Sequence, residues 1–137
     1  MQQEKDFIER EIQKLANFLK QLIKNFSGKN SIDLDNGIEK IDLALKDQLD
    51  LSIIELVESN NDRFIEKISK LDNQIIDNLS ELFYTIIVKS TNLNNLQDKN
   101  IRNMIDKTIL MINFLDNNSN IYSLNRVNME NTLRKLS

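Results

Sequence analysis

"NGIEKIDLALKDQLDL", residues 36–51, decides the fold. Its apolar residues Ile38, Ile41, Leu45 and Leu49 recur at spacings of three, four and four. That spacing lines one face of an α-helix and fits no strand, whose side chains change face at every residue. Ala44 lies beside the stripe, and Asn36 precedes Glu39 by three residues, the pattern of a capping box. The stretch therefore reads as one amphipathic helix. It leaves a question open: does the helix stand alone, or is it half of a helical repeat?

The same periodicity extends in both directions. Upstream, Ile8, Ile12, Leu15, Leu19, Leu22 and Phe26 form an unbroken stripe, widened by Phe7, Phe18 and Ile23. The width predicts a helix facing a globular core rather than a narrow coiled-coil seam. A helix of roughly 24 residues spans about 36 Å, and Gly28 is a natural C′ residue to end it. Downstream, "LSIIELVES" predicts a short helix with Ile53, Ile54 and Val57 inward, followed by "NND" at 60–62 as punctuation. Phe64, Ile68, Leu71, Ile75, Leu79, Leu82 and Ile86 then predict one long helix over about 62–91, kinked near Ser69. "TNLNNLQD" is a polar connection. Ile101, Ile105, Ile109, Ile112 and Leu115 mark the next helix, and Leu124, Val127, Leu133 and Leu136 a shorter last one. No β-hairpin signal occurs. The expectation is a single all-α domain over residues 1–137, an irregular bundle or short array of about five to six antiparallel helices.

Composition supports long helices and narrows the function. The chain has no Pro and only two Gly, Gly28 and Gly37, so it carries few helix breakers. About twenty Asn residues supply caps and turns instead. A net charge of −3 with both signs interspersed argues against a nucleic-acid binder, which carries a basic face. Lys14, Lys20, Lys24 and Lys29 are the best basic series, and they read as a solvated helix face. The absence of Cys removes disulfides and thiolate zinc sites and fits a reducing cytoplasm. "MQQEKDF" has acidic residues and no apolar core, so no signal peptide is expected. "IIV" at 86–88 and "ILMI" at 109–112 are far too short to span a bilayer. The expectation is a soluble cytoplasmic protein that contacts neither membrane nor nucleic acid, as a monomer or weak homodimer.

Chemistry-bearing patterns are sparse. Without His, the commonest general base and metal ligand is missing, and no Cys-His or Ser-His pair is possible. No carboxylate pair sits on an otherwise apolar helix face, where burial would raise a pKa for acid–base work. A carboxylate-only enzyme is thus the weakest functional reading, and no cofactor or metal is expected. "DLDNG" at 33–37 superficially resembles a calcium loop. Counted from Asp33, however, Gly37 falls at the fifth position and Ala44 at the twelfth, where the EF-hand needs Gly at the sixth and Glu at the twelfth. Asp33 and Asp35 read as turn and cap residues. "ELFYTIIV" at 81–88 is the most apolar stretch, and Leu82, Phe83, Ile86 and Ile87 read as core. Tyr84 falls off that stripe and Tyr122 sits at a helix entrance. With Asn92, Asn94, Asn95 and Asn125 near the same junctions, they are the candidate partner-binding residues, because amphipathic rings are common where proteins meet.

"IEKIDLALKDQLDL" resembles the second helix of a tetratricopeptide-type repeat, with Ile38, Ile41, Ala44 and Leu45 at its small and apolar positions. The helix order, beginning with "KDFIEREIQKLANFL", resembles an uncharacterised family of small bacterial proteins with tetratricopeptide-like helices. The Trp, Gly and Pro of the repeat are missing, as is a clear 34-residue period. The resemblance implies a curved helical array that binds protein. Two functions follow as expectations. One is an adaptor or scaffold that binds another protein. The other is a small acidic inhibitor or immunity-type protein that neutralises a basic toxin or enzyme through charge complementarity.

Overall fold

The computed structural model describes residues 2–28, 34–92, 99–119 and 122–136. Among them are seven α-helices and no strand: α1 (Gln2–Ser27), α2 (Leu34–Leu49), α3 (Ile53–Glu58), α4 (Asn61–Ile68), α5 (Asn73–Asn92), α6 (Lys99–Asn118) and α7 (Leu124–Leu136). The fold is an irregular all-α bundle. One apolar cluster draws residues from every helix, among them Leu19, Leu45, Leu56, Phe64, Phe83, Ile112 and Leu133. The stretch at 36–51 lies in α2, with Ile41 and Leu45 buried and Ile38 and Leu49 partly so.

The central layer is α1–α5–α6, since α1 packs chiefly on α5 and α5 in turn on α6. Gln74 near the start of α5 donates to Gln13, while Lys89 near its end donates to the carbonyl of Phe26. Contact at both ends of α5 makes α1 and α5 parallel neighbours within the bundle. This arrangement requires α2, α3 and α4 to carry the chain back between them. The Lys89 ammonium also lies 5.1 Å from the centre of the Phe26 ring. It thereby meets an orphan carbonyl at the α1 C-terminus, the negative end of the helix dipole. The α1–α2 crossing is close. A Cβ at Gly37 would stand 2.9 Å from Cε2 of Phe26, so glycine is needed there for space and not for an unusual φ.

Several boundaries differ from the sequence reading. The long helix expected over 62–91 is two helices, which raises the number to seven. Ser69 caps the end of α4, its hydroxyl donating to Glu66 O at 2.8 Å, and Leu71 N–H turns back to Ile68 O at 2.9 Å. Asp72 then accepts the Gln74 N–H at 2.9 Å and opens α5. The apolar stripe passes through this break because both helices bury the same side. In α3, Ile53 and Val57 are inward as expected. Ile54 is 55% exposed and Leu56 takes the inward place. In a helix of six residues, periodicity has too few turns to choose the face. Phe7 and Ile8 are exposed on the first turns of α1, and Leu124 is exposed at the start of α7. Gly28 ends α1 without a positive φ, its N–H donating to Lys24 O at 3.1 Å in ordinary helical fashion. Because α2 begins at Leu34, Asn36 lies inside its first turn and not ahead of it, and Asp33 lies outside the described residues.

Candidate functional site

The residues singled out as partner-binding fall into different surroundings. Tyr84 is partly buried on α5 and packs against the core. Tyr122 is 76% exposed just ahead of α7, beside exposed Leu124 and Asn125. Asn92 is the last residue of α5, while Asn94 and Asn95 lie outside the described residues. Neither tyrosine lines the clefts described next.

An apolar cleft opens between α2, α3 and the first turns of α6. It is lined by Ile38, Ile53, Ile54, Val57, Ile101 and Met104, with Glu58 and Asn100 as its polar margin, and has a volume of about 230 Å³. Two devices hold α3 in place to form it. Asp50 adopts a left-handed φ of 54°, and its N–H donates to Lys46 O at 3.1 Å, closing α2 with an αL cap. Such a cap is usually made by glycine, but aspartate also tolerates this conformation. The chain then turns sharply into α3, whose N-terminus is met by a side chain from α2. Asp42 Oδ1 accepts the Ile53 N–H at 2.6 Å, and Oδ2 accepts the Ser52 hydroxyl at 3.4 Å. A carboxylate at the positive end of a helix is favourable, and here it also fixes the angle between α2 and α3.

Electrostatic ties away from the cleft fasten α4, α5, α6 and α7 to one another. Lys107 on α6 is buried; its ammonium donates to Asn61 Oδ1 at 2.7 Å and lies 5.8 Å from the centre of the Phe64 ring, tying α6 to the start of α4. Arg126 on α7 has a side chain only 7% exposed, between Asp116 at 3.0 Å and Asp77 at 3.4 Å. This fork joins α7 to the end of α6 and the start of α5, so α5 and α6 run antiparallel. Both aspartates are about half exposed and keep hydration, which lowers the cost of assembling the cluster. A second, polar hollow lies between α3 and α4. Its lining alternates in sign, with Glu55, Glu58 and Glu66 against Arg63, Lys67 and Lys70.

Chemically, the α2–α3–α6 cleft offers six aliphatic or thioether side chains and a carboxylate at its edge. It suits an apolar group from outside, taken up by the hydrophobic effect. Among the described residues no group of three or more carboxylates is placed to hold a metal ion. No helix among them is long and apolar enough to cross a membrane. Sequence reasoning missed Ile54, Asp42 and the buried cations. Ile54 was assigned to the core, and isolated charges one or two residues off an apolar stripe look like any solvated residue.

No protein family, no curated protein and no solved structure matches the chain.

Proposed function

We propose that the chain is a non-catalytic protein-interaction module of the cytoplasm, working without a cofactor. It takes an apolar side chain of a partner protein into the cleft between α2, α3 and α6. The observation that carries this reading is a solvent-open apolar cleft with Ile54, 55% exposed, at its wall. An isoleucine that covers no core is one of the few large apolar side chains left to water here, and burying it against a partner is favourable. The helix order that resembles the bacterial family with tetratricopeptide-like helices is in keeping with a binding module. The mixed-sign hollow between α3 and α4 gives the acidic-inhibitor reading less support, because steering a basic target calls for a patch of one sign.

A photo-cross-linking residue at Ile54 tests the proposal in native lysate. Leu43, also exposed but outside the cleft lining, serves as the control position. The expected outcome is a discrete protein adduct from position 54 and none from position 43; in a separate pull-down without cross-linker, Ile54→Lys loses the protein identified in that adduct at an unchanged urea midpoint. Identical adducts from both positions, or none from either, would overturn the reading.

A further inference from the structure

Beside the core stripe of α1 runs a second stripe, displaced by one residue: Phe7, Glu11, Lys14 and Phe18. Spacings of four, three and four keep these residues on one face of the helix. Phe7 and Lys14 are exposed and Glu11 and Phe18 partly so, and no residue of α1 lines the α2–α3–α6 cleft. The stripe stops at Gln21 and Asn25, which are joined side chain to side chain at 3.0 Å. Both its spacing and its chemistry are symmetric end to end. An aromatic ring stands at each end, and an acid and a base stand at the two inner positions, in contact within the chain at 3.4 Å.

A second copy of this helix, turned antiparallel about the midpoint between Ile12 and Gln13, sets Phe7 opposite Phe18 and Glu11 opposite Lys14 of the other copy. Each match occurs twice by symmetry. A parallel pairing in register would set acid against acid and base against base. We propose that α1 is the self-association surface of this protein, pairing antiparallel with α1 of a second copy through Phe7, Glu11, Lys14 and Phe18. Such an interface is isologous, as most homodimer interfaces are. The stripe is about 16 Å long, so the dimer is weak, with a dissociation constant on the order of 100 μM.

Sedimentation equilibrium with the charge-reversed chains tests this. Glu11→Lys and Lys14→Glu each turn two attractive contacts into repulsive ones, and each weakens dimerisation by about tenfold. The double variant Glu11→Lys with Lys14→Glu restores the pairing to within about threefold of the original. Helicity by circular dichroism stays the same throughout, because these side chains lie at the surface. Direction is read separately. The chain has no cysteine, so Phe7→Cys and Phe18→Cys chains can be mixed and oxidised. Antiparallel pairing yields the mixed disulfide in excess, whereas parallel pairing yields the two like disulfides. A protein that stays monomeric up to about 1 mM, a dimer indifferent to either single reversal, a double variant as weak as the singles, or an excess of like disulfides would each overturn the proposal.

Discussion

Helices α1 and α5 lie side by side and carry equally regular apolar stripes, yet they have different fates. On α5, Ile75, Ile76, Leu79, Leu82, Phe83, Ile86 and Ile87 are all buried, because α1 covers one side and α6 another. On α1, burial sets in only at Ala16, Leu19 and Phe26, while Phe7 and Ile8 remain 62% and 57% exposed. Gln13 already meets Gln74 in the first turn of α5, so α1 extends past the start of its neighbour. A helical stripe states which face seeks cover. Whether cover is present depends on the length and position of the next helix.

The largest expected effect comes from Leu19→Ala. Leu19 is fully buried, and its truncation leaves a cavity costing about 2–5 kcal/mol in urea denaturation. A loss below about 0.5 kcal/mol would mean that α1 is peripheral along its whole length, and the contrast with α5 would fail. Arg126→Met comes next. It removes the fork that fastens α7 to α5 and α6, yet leaves two half-exposed aspartates that water can still serve. The expected loss is about 1–3 kcal/mol, below the cost of stranding a fully buried charge. Single replacements Asp77→Asn and Asp116→Asn should each cost less than Arg126→Met, since Arg126 then keeps one carboxylate.

Asp50→Gly is expected to stabilise the protein by about 0.5–1 kcal/mol. It relieves a left-handed aspartate at a joint where no side-chain burial is at stake. A destabilised variant would show that the Asp50 side chain is needed at the α2–α3 turn. Ile8→Ala has the smallest expected effect, within about 0.5 kcal/mol in dilute solution, because Ile8 occupies the same stripe as Leu19 but lies beyond the cover of α5. Chemical denaturation of Ile8→Ala and Leu19→Ala side by side gives the contrast in one measurement. Equal losses would show that the first turns of α1 are covered in solution.

Much of the architecture was legible in residue spacing. The all-α class, the extent of α1, the inward faces of α2 and α6 and the buried Leu82, Phe83, Ile86 and Ile87 follow from local periodicity. That signal repeats over several turns in each of these segments. It weakens where the turns run out, as in α3, where Ile54 and Leu56 exchanged roles. It also fails where two helices bury the same side, as at the Ser69–Asp72 break. Of the candidate site residues, Tyr84 and Tyr122 were recognised as lying off the stripes, but one packs on the core and the other stands in water.

Spacing could reveal helices and their apolar faces because a helix sets its period locally, at 3.6 residues per turn whatever surrounds it. Three things belong to the assembled molecule: the parallel course of α1 and α5, the cleft beside Ile54, and the burial of Lys107 and Arg126. Lys107 meets Asn61 across 46 positions and Arg126 meets Asp77 across 49. Partners so far apart along the chain leave no local pattern, since their proximity exists only after the helices between them have packed.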